Sequence, residues 1–227
     1  MKFLKSRKLG IIIGSILILF GVLFLLAEPI QNAYVRHLSN QLTDEIGVVA
    51  SDKDSASFDF SAVEEVTLED LLQSQFNQSE LPVVGSLAIP ELGMHLAILE
   101  GVSNENLIAG AGTMKPDQEM GKGNFSLASH NMKDPTLLFA PLHQAKPGMK
   151  AYLTDKQHVY VYEIATHEII EPTRVDVIRD TPSELLTMIT CNYNGDMRLN
   201  TQGELIDSFP VSEAPEEIRA IFNLPIH

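Results

Sequence analysis

Tryptophan is absent from these 227 residues, and cysteine occurs once, at Cys191. One cysteine excludes an intramolecular disulfide, so this thiol is either a buried apolar filler or a reactive group. Basic residues are scarce. Sixteen Lys and Arg stand against 30 Asp and Glu, a formal net charge of −14. Lys2, Lys5, Arg7 and Lys8 crowd the first eight positions, so the remainder is more acidic still. Such a surface repels phosphate backbones and argues against nucleic acid as a partner. Aromatics are few as well, ten Phe and five Tyr, but 44% hydrophobic residues can fill one good-sized core.

One long apolar run is present. Leu9 to Ala27 carries no charge, and as a helix it spans ~28 Å, about the thickness of a bilayer's hydrocarbon core. A cleaved signal peptide is the competing reading, since its apolar stretch also follows basic residues. The run exceeds the usual h-region of about 7–15 residues, and Leu25-x-Ala27 is a poor small-x-small site. The expectation is therefore an uncleaved anchor over 9–27. Residues 1–8 stay in the cytoplasm and 28–227 face outward. In that oxidising location the lack of disulfides suits a thiol kept free for chemistry.

Residues 29–46 continue as a short helix, with Ile30, Ala33, Tyr34 and Leu38 roughly on one face. From Asp44 to Glu80 ten acidic residues accompany a single basic one, Lys53, which reads as a solvated linker. The segment 28–80 is thus a juxtamembrane helix and acidic tether. Beyond Leu81 short apolar or alternating runs appear at 83–89, 94–99, 124–130, 149–154, 157–165, 167–172, 186–191 and 197–206. Turn residues such as Pro90, Gly93, Lys146-Pro147-Gly148 and Asn194-Gly195 separate them. About eight short strands predict a mainly β domain over 81–227, a barrel or sandwich. Short helices are expected at Asn104–Ala109, Pro135–Ala140 and Glu213–Phe222, the last capped by Ser212.

The chemistry gathers around the lone thiol. Asn194-Gly195 between strand-like runs predicts a two-residue hairpin turn, which sets Tyr193 opposite Asp196 and Cys191 opposite Arg198. Directly paired residues project from one face, so the guanidinium lies beside the thiol; Thr190 points to the opposite face. A nearby cation raises the thiolate fraction, and a guanidinium stabilises an oxyanion at any working pH. His130, at the end of the run Leu127-Ala128-Ser129-His130, can protonate a leaving amine and then take a proton from the next nucleophile. The bland alternative stays open on spacing alone: a buried thiol, a structural histidine and a surface arginine. His167-Glu168-Ile169-Ile170-Glu171 lacks the second histidine of a zincin helix and reads as a solvated strand edge. His95, His143 and His158 read as structural or exposed.

Taken together, Leu127-Ala128-Ser129-His130, Thr187-Met188-Ile189-Thr190-Cys191 and Arg198 make the chain resemble the class A, housekeeping sortases of Gram-positive bacteria. Gly110-Ala111-Gly112-Thr113-Met114, Leu138-Phe139-Ala140-Pro141-Leu142, Gly148 to Asp155 and Ala220-Ile221-Phe222-Asn223 support the resemblance, which covers about 81–227. It implies an eight-stranded β-barrel with short helices behind an N-terminal transmembrane helix. Cys191 and Arg198 are then on neighbouring strands, with His130 across the groove. It implies a membrane-anchored cysteine transpeptidase that cleaves LPxTG-type sorting signals between Thr and Gly. A thioester on Cys191 is resolved by an amine of the peptidoglycan precursor lipid II. On that analogy Cys191 is the nucleophile, His130 the general acid/base and Arg198 the substrate and oxyanion group, while Ala128 and Thr190 match groove-lining positions.

Some class A sortases bind calcium through acids in the loop before the histidine strand. Here that loop, 115–123, offers only Asp117 and Glu119 among Lys115, Gln118 and Lys122, so no cofactor and calcium independence are expected. Three other functions compete. A pilus-polymerising sortase typically carries a lid and a C-terminal membrane segment, and neither is visible in the sequence. An exported hydrolytic cysteine protease gives free acid even when amine is abundant. A tethered binding domain would leave Cys191 inert.

Overall fold

A computed structural model describes residues 2–44, 58 and 81–224. The chain divides into two compact units between Tyr34 and Val35. The first helix, α1, runs from Lys2 to Asp44 with Pro29 inside it, so the apolar run and the expected juxtamembrane helix are a single element. Its stretch from Gly10 is long and apolar enough to cross a membrane, with Ile11, Leu17, Phe20 and Phe24 exposed. Within the second unit, Val35 and Leu38 are buried, and Arg36 donates to Asp134 and Thr136, both at 2.9 Å. The acidic segment 45–80, Phe58 apart, lies outside the described residues.

The strands of the second unit are β1 (Val83–Ile89), β2 (Met94–Leu99), β3 (Ala111–Thr113), β4 (Asn124–Ala128), β5 (Lys150–Thr154), β6 (His158–Ile170), β7 (Leu185–Cys191) and β8 (Arg198–Pro210). They close into a barrel in the order β1-β2-β3-β4-β7-β8-β6-β5. Closure leaves no unpaired sheet edge, and it fixes each strand's register from both sides. Alternation divides 157–172 into two strands at Ala165-Thr166, whereas the structure makes one. The register shift between Ile164 and Thr166 is a bulge that interrupts the period without ending the strand. Alternation does not reveal β3 at all, because three residues are too few to alternate.

Helix α2 (Asn104–Ala109) joins β2 to β3, and the two strands pair in parallel. Ser103 caps it by accepting from the Asn106 N–H, and Asn106 donates in turn to the Glu100 carbonyl at 2.8 Å. This packing explains Gly112. A Cβ there would sit 2.3 Å from the Gly101 carbonyl oxygen, so only glycine lets the strand approach. Pro135–Ala140 is not helical. Leu138 takes φ +49°, which breaks the pattern, and a 3-10 helix follows at Ala140–Gln144. The C-terminal helix α3 is shorter than expected, Glu216–Ile221. Ser212 falls in a separate 3-10 turn, and Pro215 precedes the helix. Ile218 and Ile221 pack on a buried cluster that includes Ala88, Val159 and Val161, which docks α3 against the barrel wall.

Candidate active site

Two pairings build the site. Strands β7 and β8 are antiparallel with Cys191 opposite Arg198, as the Asn-Gly pattern predicts. The turn itself is looser. Gly195 takes φ +79° and its N–H donates to the Asn192 carbonyl, while Asn192 N–H donates to Met197; Tyr193 and Asp196 lie within the turn. The Asn192 side chain reaches Asp196 and accepts from the Met197 N–H, so side-chain bonds replace the expected inner ladder. The register survives because the loop gains one residue on each side of the turn.

The second pairing places His130. Strands β4 and β7 are parallel neighbours, with Ala128 level with Ile189. Two residues further on each strand lie His130 and Cys191. Three bonds hold the two chains abreast past the formal end of β4. Ser129 N–H donates to Ile189, Thr190 Oγ1 donates to the Ser129 carbonyl at 2.8 Å, and Asn131 Nδ2 donates to the Asn192 carbonyl. The bond from Phe139 N–H to the His130 carbonyl folds the following loop back beneath it. His130 is therefore beside the Cys191 strand rather than on a distant wall.

Alternation then extends the site into rows across one face of β4, β7, β8 and β6. His130, Cys191, Arg198 and Ile170 form the first row. Ala128, Ile189, Asn200 and Glu168 form the second; Ser126, Thr187, Gln202 and Thr166 the third. His130 is 8% exposed and Cys191 half-buried, so the thiol borders solvent while the imidazole is sheltered. Arg198 Nη1 donates to the Gly195 and Met197 carbonyls, which braces the guanidinium at the strand end.

Below the first row the surface turns apolar. Ala128, Ile189 and Ile170 join Val102, Leu107 and Met114 in a buried cluster, and Val177 and Ile178 from the β6–β7 connection pack over it. Side chains of the lower rows pin that connection. Val177 lies in the 3-10 helix Val175–Ile178, and its carbonyl accepts from Asn124 Nδ2 at 2.8 Å and Gln202 Nε2 at 3.2 Å. The carbonyl of Ile178 accepts from Ser126 Oγ, and that of Arg179 from Asn124 Nδ2 at 3.0 Å. Thr187 Oγ1 completes the network by donating to Asn124 Oδ1 at 2.6 Å and accepting from Gln202. Each such carbonyl would cost about 1–3 kcal/mol if buried unpaired, so the wall over the apolar floor is firmly set.

Thr190 is fully buried on the face opposite Cys191, and its hydroxyl ties the ends of β4 and β7 together. Ala128 is on the same face as His130, at the head of the apolar floor. Sequence reading gives no role at the site to two further groups, the first of which, His143, it takes as structural or exposed. The His143 ring stacks on Tyr193 at 3.8 Å, beneath the β7–β8 turn. Burial holds its pKa below the usual histidine value; a bond to the Cys191 backbone works the other way, and nearby His167 adds to the lowering. The ring thus supports the backbone of the residue that carries the thiol. Asn124, Thr187 and Gln202 are the second omission. Only the register across the parallel β4–β7 pair brings them together, and no local motif marks it.

A half-buried thiol at a strand end, an imidazole on the adjacent strand and a braced guanidinium are the groups that cysteine acyl transfer requires. The Sortase domain family matches residues 87–206. The chain belongs to the sortase family and is a cysteine transpeptidase. It is 38% identical over 219 residues to sortase A of Streptococcus agalactiae, covering 92% of this chain and 89% of that one. Sortase A of Listeria monocytogenes is 35% identical over 184 residues, covering 79% and 83%. The crystal structure of the Listeria monocytogenes enzyme superposes with a TM-score of 0.58 at 38% identity, over 62% of this chain and 96% of that one.

Proposed function

We propose that the enzyme anchors surface proteins to the cell wall by cleaving LPxTG-type signals between Thr and Gly. The observation that carries this reading is the row of His130, Cys191 and Arg198 across three adjacent strands, above an apolar floor. The Cys191 thiolate attacks the Thr carbonyl carbon, and the guanidinium of Arg198 takes the charge that develops on its oxygen. His130 gives its proton to the departing glycine nitrogen, leaving a thioester on Cys191. An incoming amine of lipid II then loses its proton to His130 as it forms the new amide, and the thiolate departs. Ala128 contributes to the groove floor. Thr190 aligns the strands that carry the nucleophile and the imidazole.

The basic cluster at the N-terminus supports a cytoplasmic location for that end, with α1 as the anchor and the barrel outside. The test is to incubate the full-length chain in detergent micelles with an LPxTG peptide, with and without oligoglycine. An acyl adduct on Cys191 and a ligated product that grows with amine are expected in the mass spectrum. Free acid alone, indifferent to amine, would instead mark a hydrolase.

Calcium independence belongs to the same proposal. In the loop before β4, Lys115 Nζ donates to the Asn124 carbonyl at 2.7 Å and to Asp180 Oδ1 at 2.5 Å. The ammonium lies where a cation would otherwise join this loop to the β6–β7 connection. Its hydrogen bond and charge hold the Asp180 carboxyl below the usual range. The adjoining cleft of about 480 Å³ mixes Asp117, Glu119 and Asp155 with Lys115 and Lys122, and Lys122 pairs with Glu119. A hard divalent ion needs several uncommitted oxygens, and two lysines compete for these. Turnover should therefore agree within about twofold between millimolar calcium and excess chelator. A calcium-dependent rise beyond that would refute the point.

A further inference from the structure

Asn200 stands apart from the polar residues around it. It is fully buried in the second row, directly below Arg198, and neither Nδ2 nor Oδ1 has a hydrogen-bond partner. On the same face Asn124, Ser126, Thr187 and Gln202 are all paired, most of them twice. Buried carboxamides are nearly always satisfied, and one left open in an otherwise completed network needs a reason. Its neighbours on either side are Ile189 and Glu168, so it interrupts the apolar floor next to the nucleophile's strand. An aliphatic side chain would fit that floor without cost, which makes the amide's presence the more telling.

We propose that Asn200 is a substrate-recognition residue. Its carboxamide pairs with a backbone amide of the peptide acylating Cys191, Nδ2 donating to a peptide carbonyl and Oδ1 accepting from a peptide N–H. A side-chain amide matches a peptide group in both donor and acceptor, and it does so without regard to the peptide's side chains. The contact forms when the Val177 and Ile178 side chains turn off the floor to admit the peptide, their backbone carbonyls staying bonded to Asn124, Ser126 and Gln202. The carboxamide is neutral and makes no contribution to acid–base chemistry. Its contribution is to hold the segment preceding the scissile bond along the face that Cys191 and Arg198 share.

This inference rests on the peptide-transfer reading, and the experiment separates the two. Wild type and Asn200→Leu, full length in micelles, are compared for peptide KM, for kcat, for iodoacetamide alkylation of Cys191 and for thermal unfolding. KM should rise about thirtyfold, the worth of two hydrogen bonds, while kcat and alkylation hold within about twofold. The unfolding temperature should stay level or rise, because leucine removes the unpaired amide. A series of peptides, each with one backbone N-methyl group, supplies the decisive comparison. At one position, methylation should cost wild type about tenfold and the variant nothing. Asn200→Ala carries the same readouts if the leucine variant does not fold. An unchanged KM, or no methyl position whose cost depends on Asn200, overturns the proposal and leaves peptide transfer standing. A wild-type enzyme that forms no peptide adduct removes both.

Discussion

Cys191→Ala abolishes turnover, reducing kcat/KM by about 10⁴-fold or more, equivalent to about 5.5 kcal/mol of transition-state stabilisation. The size of the loss follows from the site's economy. No second thiol exists in the chain to take the acyl group, and water has no comparable nucleophile in this row. The fold should scarcely register the change. Cys191 is half-buried at the end of β7, its backbone is paired with Arg198, and alanine retains that pairing. Loss of the adduct with an unaltered melting temperature is the expected pair of results. Residual ligation within a hundredfold of wild type would mean that the thioester is not the route.

His130→Ala should lower kcat about 10³-fold, the middle of the range for removing a general acid–base group. Here too structure and chemistry separate. The main chain of residue 130 accepts from Phe139 and would still do so with alanine, so the loop closing under the site persists. What goes is the proton for the leaving amine, which without protonation is a poor leaving group. Free imidazole should restore part of the rate. A decrease under tenfold, with no rescue by imidazole, would assign the proton to another group.

Local pattern made much of this architecture legible. The bounds of β1, β2 and α2 match those expected from the apolar patterning, with Pro90 closing β1. Asn-Gly alone puts Arg198 beside Cys191, even though the turn is wider than that dipeptide implies. The parts that escaped share one property: they depend on pairing between distant segments. The three-residue β3 exists because β2 and β4 flank it. Asn124, Thr187 and Gln202 meet only when β4 lies parallel to β7, with two complete strands between them in sequence. The third expected helix began late for a different reason: Val211 and Ala214 are drawn into the buried cluster, and the chain turns there before it can coil.

The hydrogen bonds of Arg36 alter what the acidic stretch after α1 can do. Both ends of 45–80 belong to the second unit: Val35 and Leu38 are buried in it on one side, and β1 begins on the other. The chain leaves and re-enters one body there, so the number of residues between the two flanks sets an entropy of closure rather than a reach. Doubling it would cost only about 0.6 kcal/mol of closure free energy. The segment's nine carboxylates can thus be added to, trimmed or reordered without breaking the pairing of Arg36 with Asp134. Selection on that stretch is free to act on its charge and composition rather than on its length.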